Sequence, residues 1–267
     1  KIFSTREAFA VLKNDGSVVT WGGTAIGENF GEDSSAVSSL LSSGVKNIVS
    51  TMSAFAALKE DGSVVTWGLS RDGGNSEEVA NQLSSGVDEI ISTNYSFAAL
   101  KNDGSVVTWG RDKNGGQIDY LWGPWSATSN NTSNTNGDLN ALQNNVSKIF
   151  PMSDGLFAAI KEDGSVVVWG YGYSGVWLKD QDPDVIRFVE VSDQLRNDVI
   201  SIYSTDNASA ALKSDGSVVT WGWKTRGGDS STISSQLDSD VISISSTGYA
   251  FAALKSDGSV ITWGDQE

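Results

Sequence analysis

The side chains of this chain best suited to chemistry are aromatic, and they fall outside its regular pattern. Tyr120, Trp122, Trp125, Tyr171, Tyr173, Trp177 and Trp223 lie between repeated segments. Trp and Tyr join a large apolar face to one polar handle, so they anchor protein interfaces and also stack on sugar rings. The alternative is that they pack locally and fold their own inserts down. Acid–base chemistry has a narrower basis. The chain contains no His and no Cys, which removes the commonest general base, thiolate nucleophiles and Cys-based metal sites. Two-carboxylate catalysis needs a pair roughly 5–10 Å apart with one pKa raised, and nothing in the spacing of Asp and Glu marks such a pair. There is no Gly-x-Ser-x-Gly, phosphate-binding loop or His-Glu pair. The expectation is a protein without catalysis, and no cofactor or metal is implied.

Six copies of one phrase surround these residues. The cleanest runs Phe55-Ala-Ala-Leu-Lys-x-Asp-Gly-Ser-Val-Val-Thr-Trp-Gly68. Its Asp-Gly pair returns at Asp15, Asp61, Asp103, Asp163, Asp215 and Asp257, spaced by 46, 42, 60, 52 and 42 residues. Self-similarity at such a period signals a propeller, solenoid or array, because one unit cannot bury its own apolar faces.

Within a copy, Phe55–Leu58 and Val64–Trp67 are short runs rich in apolar, β-branched and aromatic residues. Two such runs around Asp-Gly predict a β-hairpin, since Gly accepts the positive φ of a tight turn. A calcium loop is excluded because its other oxygen ligands are missing. A third strand precedes the hairpin at Val45–Ser50, Val87–Ser92, Val199–Ser204 and Val241–Ser246, more weakly at Val146–Pro151, with Ile2–Thr5 aligned to Ile48–Thr51. A fourth strand is expected just after Trp-Gly. The repeated Trp21, Trp67, Trp109, Trp169, Trp221 and Trp263 are expected in the core between neighbouring sheets. Lys13, Lys59, Lys101, Lys161, Lys213 and Lys255 are read as solvated turn charges, with a positive ring on one rim as the alternative. Ser34–Leu41 and Ser76–Leu83 read as helical turns, the second capped by Ser76.

The fold expected is all-β: a single β-propeller domain over residues 1–267, with short helical or irregular inserts between blades. The repeats fall at about 1–44, 45–86, 87–145, 146–198, 199–240 and 241–267. Six blades are expected, with seven as the alternative.

The phrase Ala-Leu-Lys-x-Asp-Gly-x-Val-x-x-Trp-Gly, preceded by Gly-Val-x-x-Ile, resembles the regulator-of-chromosome-condensation repeat. The run Leu83-Ser-Ser-Gly-Val87-Asp-Glu-Ile90 is especially similar to the secreted bacterial branch, which includes the type II β-lactamase-inhibitor protein. The resemblance covers all six copies. It implies a propeller of four-stranded blades, seven in the best-known members, and action by binding other proteins. Two departures speak against the GTPase-directed members. The family's frequent His is replaced by Phe55, Phe97, Phe157, Ser209 or Phe251, and Gly-Gln-Leu-Gly by Gly73-Gly74, Gly115-Gly116 or Gly227-Gly228.

A formal charge of −15, from 33 acidic and 18 basic residues, makes nucleic acid an unexpected partner, because phosphate binding needs clustered Lys and Arg. No run of roughly 18 apolar residues marks a membrane span, so no membrane insertion is expected. The longest connection, 111–145, carries Tyr120-Leu-Trp122-Gly-Pro-Trp125 and a Ser/Asn/Thr tract over 126–137. Such long connections are usually functional or disordered. The leading expectation is a non-catalytic protein-binding or scaffolding propeller, a module of a larger bacterial secreted or cell-surface protein and hence extracellular. Alternatives are a soluble inhibitor of a secreted enzyme, a glycan-binding module and, less favoured, a guanine-nucleotide exchange factor for a small GTPase.

Overall fold

The computed structural model of the chain describes residues 1–23, 28–112, 115–116, 121–122, 139–152, 155–170 and 183–265. Contacts divide it into two compact units, Lys1–Ile118 with Leu142–Asn145, and Asp119–Ala141 with Val146–Glu267. In the first unit, β1 (Ile2–Ser4), β2 (Ala8–Leu12) and β3 (Val18–Gly22) form blade 1. Blade 2 comprises β4 (Val45–Ser50), β5 (Ala54–Lys59) and β6 (Val64–Gly68); blade 3 comprises β7 (Val87–Ser92), β8 (Ser96–Lys101) and β9 (Val106–Gly110).

In the second unit, β10 (Leu121–Trp122), β11 (Val146–Pro151), β12 (Leu156–Lys161) and β13 (Val166–Gly170) make blade 4. Blade 5 contains β14 (Val185–Ile186), β15 (Val199–Ser204), β16 (Ala208–Lys213) and β17 (Val218–Trp223). Blade 6 contains β18 (Val241–Ser246), β19 (Ala250–Lys255) and β20 (Val260–Gly264). Every pairing is antiparallel. The chain is all-β, with one sheet per repeat.

The hairpins form as their residues require. Asp61 and Gly62 turn the chain between β5 and β6, with Gly62 at φ +77°, where a side chain would be strained. A Cβ there would also stand 2.8 Å from the Gly86 nitrogen, so the turn glycine doubles as a close approach to the next blade. The register sets Phe55 opposite Trp67, and the rings stack at 5.1 Å and 23°.

Each sheet then has two unlike faces. One carries the Phe–Trp pair, and the other carries small residues. Ala8, Ala10 and Leu12 of blade 1 pack on Phe55, Ala57, Val65 and Trp67 of blade 2. Ala54, Ala56 and Leu58 repeat this against Phe97, Ala99, Val107 and Trp109, and Ala208, Ala210 and Leu212 against Phe251, Ala253 and Trp263. Alanine lets the neighbouring sheet come close enough for the larger rings to fill the gap. This explains why strands such as β5 are apolar throughout rather than alternating: both faces are buried.

Four expectations are corrected. Trp21 is not core: it is 45% exposed, whereas the other five repeated Trp residues are buried. Four of the six turn lysines are tethered and are not free turn charges. The ammonium groups of Lys59, Lys161, Lys213 and Lys255 donate to the carbonyls of Leu40, Ala141, Gln194 and Gln236 at 2.8–3.2 Å. They tie each hairpin turn to the segment leading into its own blade. The helical turns are short 3₁₀ segments, Ser35–Val37 and Glu77–Val79. Ser76 makes no capping bond; Asn75 Oδ1 accepts the Glu77 N–H at 2.8 Å, while Ser76 pairs with the Thr66 hydroxyl. Fourth strands do follow Trp-Gly, as β10 and β14, but each joins the next blade, pairing with β13 and β17.

Blade 5 shows one compensation across distant sequence. Ser209 stands opposite Trp221 where other blades have Phe. Phe188, from the helical turn Phe188–Val191, meets Trp221 edge-on at 5.7 Å and 72°. The connecting segment supplies the missing ring.

Candidate interaction surface

The two long inserts return to the fold through the short edge strands. Leu121 and Trp122 pair with Trp169 and Val168. Val185 pairs with Trp223, whose side chain is half-buried and whose N–H donates to the Asn207 carbonyl at 3.0 Å. Backbone pairing at a sheet edge fixes where each insert rejoins its blade. Of the seven aromatic candidates, Trp122 is therefore placed by its backbone and Trp223 by its backbone and burial. Tyr120, Trp125, Tyr171, Tyr173 and Trp177, like the tract 126–137, lie outside the described residues.

Sequence reading missed two polar clusters between neighbouring blades. Asp72, buried in the connection after blade 2, accepts from Arg111 Nε and Nη2 at 3.1 and 2.6 Å through one oxygen. The Arg111 guanidinium lies over the Tyr95 ring at 3.9 Å. Between blades 5 and 6, Arg226 occupies the position of Asp72 and Asp265 that of Arg111. Arg226 Nη1 meets Asp265 Oδ2 at 2.8 Å, and its guanidinium lies 4.0 Å over Tyr249. The pair is conserved in place but reversed in charge. In both, the arginine stacks on tyrosine, which holds the guanidinium and lessens what the ion pair loses on leaving water. The signal was present in the sequence: residues just before the connector Gly73 and Gly227 exchange sign with those just after Gly110 and Gly264.

The connectors also satisfy the buried indoles. Trp67, Trp109 and Trp263 each donate Nε1–H to the carbonyl of a glycine 36 residues earlier, Gly31, Gly73 and Gly227, at 3.0–3.1 Å. Gly73 has φ +99°, and a Cβ on it would run into the Phe97 ring at 2.5 Å. Trp169 and Trp221, which follow the long inserts, have no Nε1 partner among the described residues.

The turn aspartates are electrostatically distinct. Asp61 Oδ1 accepts the Ser63 hydroxyl at 2.6 Å and the Ser63 N–H at 3.0 Å, and Asp15, Asp103, Asp215 and Asp257 do the same with their serines. The serine hydroxyl, then its N–H, hold these carboxyls below the ordinary value of 3.8, with the turn lysine adding a smaller pull. Groups with a depressed folded pKa stabilise the fold above their unfolded pKa and lose that contribution as pH falls through the folded value. The melting temperature is expected to fall with pH from about 4 downward, and Asp61→Asn to shallow that fall. A melting temperature independent of pH in this range would contradict the turn geometry. Glu89 is shifted the other way, by partial burial and by Asp88. Among the described residues no group of three or more His, Cys, Asp or Glu is placed to hold a metal ion.

These blades define the class: an all-β chain of β-propeller blades. Among solved structures, the CRINKLY WD40 ectodomain of the Arabidopsis thaliana receptor kinase ACR4 matches at 13% identity. The match covers 98% of this chain and 78% of that one, with a TM-score of 0.52. Human WBSCR16 matches at 15% identity over 99% and 76%, with a TM-score of 0.52. Prp20p of Saccharomyces cerevisiae, the yeast RCC1, matches at 16% over 99% and 71%, with a TM-score of 0.51. The fold is thus RCC1-like. No family model matches the chain, and no curated protein matches it.

Proposed function

We propose that the chain is a non-catalytic protein-binding module. The observation that carries this reading is the division between blades and connections. The hairpins repeat with few substitutions, and those of blades 2, 3, 4 and 6 bury a Phe–Trp pair, while length and aromatic content vary in the connections, above all 111–145 and 171–187. A scaffold that holds variable segments on fixed sheet edges loses little ordering entropy when a partner docks. Prp20, one of the structures sharing the fold, is known bound to Kap60 and has binding properties to Gsp1p and histones. The partner of this chain is accordingly a protein, gripped by the insert aromatics around Trp122, Trp125, Tyr171, Tyr173 and Trp177 together with Trp223. The acidic, Ser- and Asn-rich composition without Cys suits a module of a larger bacterial secreted or surface protein.

Affinity capture from the producer's envelope and medium tests this, with a Trp122→Ala/Trp125→Ala variant in parallel. A protein retained by the natural chain and lost with the variant, at unchanged melting temperature, is expected. Loss of an enzyme's activity on capture would narrow the reading to an inhibitor, and release by free sugar would replace it with glycan binding. Equal retention by both chains would remove the insert from the interface.

A further inference from the structure

We propose that the Asp-Gly turns are sites of spontaneous isoaspartate formation, and that the serine after each pair holds the reaction off in the folded chain. Glycine favours this modification because it puts no side chain in the way of its own nitrogen. At Asp61 the step is attack of the Gly62 nitrogen on the side-chain carboxyl carbon. A C–N bond forms, and one carboxyl oxygen departs as water with the carboxyl proton and the amide proton. Solvent water then opens the five-membered imide at either carbonyl. Opening at the original main-chain carbonyl leaves an isoaspartyl residue, whose backbone runs through Cβ and Cγ. The aspartates of the turns are exposed, so water reaches them freely.

The geometry restrains both partners of the attack. The Ser63 hydroxyl and N–H donate to Asp61 Oδ1 at 2.6 and 3.0 Å, which ties the carboxylate forward to residue 63. The Gly62 N–H donates to the Lys59 carbonyl at 3.0 Å, which commits the nitrogen to the turn. Expulsion of water also needs the neutral carboxyl, and hydrogen bonds to the charged form keep the group ionised. Asp15, Asp103, Asp215 and Asp257 are clamped alike, by a serine hydroxyl at 2.6–2.7 Å and its N–H at 2.8–3.0 Å. Their glycines donate to the turn-lysine carbonyls at 2.9–3.1 Å. In blade 4 the Ser165 N–H donates to Asp163 Oδ1 at 2.9 Å. Asp72, which also precedes a glycine, is restrained differently: its carboxylate is buried and held by Arg111.

The modification would reach beyond the turn itself. The Gly62 carbonyl accepts the Val87 N–H at 3.0 Å, which joins the turn of blade 2 to the first strand of blade 3. A Cβ on Gly62 would already stand 2.8 Å from the Gly86 nitrogen, so there is no room at this point for an added backbone methylene. Isoaspartate at position 61 therefore parts the seam between blades 2 and 3. The serine clamp protects that seam as well as its own hairpin.

Peptide mapping by mass spectrometry, with fragmentation that separates aspartate from isoaspartate, tests this on the full chain. The natural chain, Ser63→Ala and Ser63→Thr are incubated at mildly acidic pH well below their melting temperatures, and the natural chain in urea supplies the unprotected rate. Conversion at Asp61 is expected to be far slower in the folded natural chain than in the denatured one. Ser63→Ala keeps the N–H and loses the hydroxyl. It should speed conversion at Asp61 about tenfold, the factor that one hydrogen bond to a charged group is worth. Asp15, Asp103, Asp215 and Asp257 should keep their natural rates in the same molecule, and Ser63→Thr, which retains a hydroxyl, should convert as slowly as the natural chain. Equal rates at Asp61 in the folded and denatured natural chain overturn the proposal, as does an unchanged rate in Ser63→Ala. A rise shared by all five turns, or by Ser63→Thr, overturns it too, because general loosening rather than the serine hydroxyl would then set the rate.

Discussion

Trp109→Ala is expected to destabilise the first unit by about 3–5 kcal/mol, the cost of emptying a buried aromatic site. The indole stacks on Phe97 at 5.1 Å and 20°, donates to the Gly73 carbonyl at 3.1 Å, and packs in the cluster with Ala54, Ala56 and Leu58 of blade 2. Truncation removes all three interactions, and the connector glycine, held at φ +99° against Phe97, has no side chain with which to collapse into the space. Trp21→Ala is the internal control. Its indole belongs to the same repeat position and stacks on Phe9 at 5.6 Å, but it is 45% exposed. Its truncation should cost roughly 1 kcal/mol or less, in the range of surface changes. Denaturant unfolding of the two variants measures the difference. Equal losses would mean that burial between blades is not what these tryptophans contribute.

Arg111→Met should cost about 3 kcal/mol, because it leaves the buried Asp72 carboxylate without its partner. Arg71, whose Nε lies 4.0 Å from the same carboxylate, is exposed and cannot replace a contact made at 2.6 Å. The charge-reversed double variant Asp72→Arg/Arg111→Asp should recover at least half of that loss. The second unit already contains the reversed arrangement, with Arg226 on Tyr249 and Asp265 opposite, and Tyr95 stands ready to take the new guanidinium. A double-mutant cycle separates the pair's coupling from the single losses. A double variant no better than the worse single one would mean that the pair's polarity is fixed by something beyond Tyr95.

The blades were legible in the sequence because their determinants are local and repeated. Asp-Gly placed the turns, the runs flanking it placed the strands, and six copies placed the sheets. What the sequence did not reveal depends on which copies stand next to each other. Trp21 has the same local sequence as Trp67, yet it is 45% exposed, while Trp67 is buried against Ala8, Ala10 and Leu12 of blade 1. Four turn lysines looked like solvent-facing charges because the carbonyls they bind lie 19 or 20 residues away. Ser76 looked like a cap until Thr66 competed for its hydroxyl. Phe188 gave no sign that it would complete blade 5, since nothing local links it to Ser209. The aromatic inserts were visible as departures from the repeat, and the edge strands β10 and β14 account for how they are anchored.

Hydrogen–deuterium exchange on the chain alone and with its captured protein tests the central claim most directly, because it reads every segment at once. Protection confined to the inserts around 111–125 and 171–187 and to Trp223, with the hairpin turns unchanged, is the result predicted for a module that binds through its variable connections. Protection centred on the repeated turns at Asp15, Asp61 and Asp103, with the inserts unaltered, would contradict it and move the interface onto the repeats themselves.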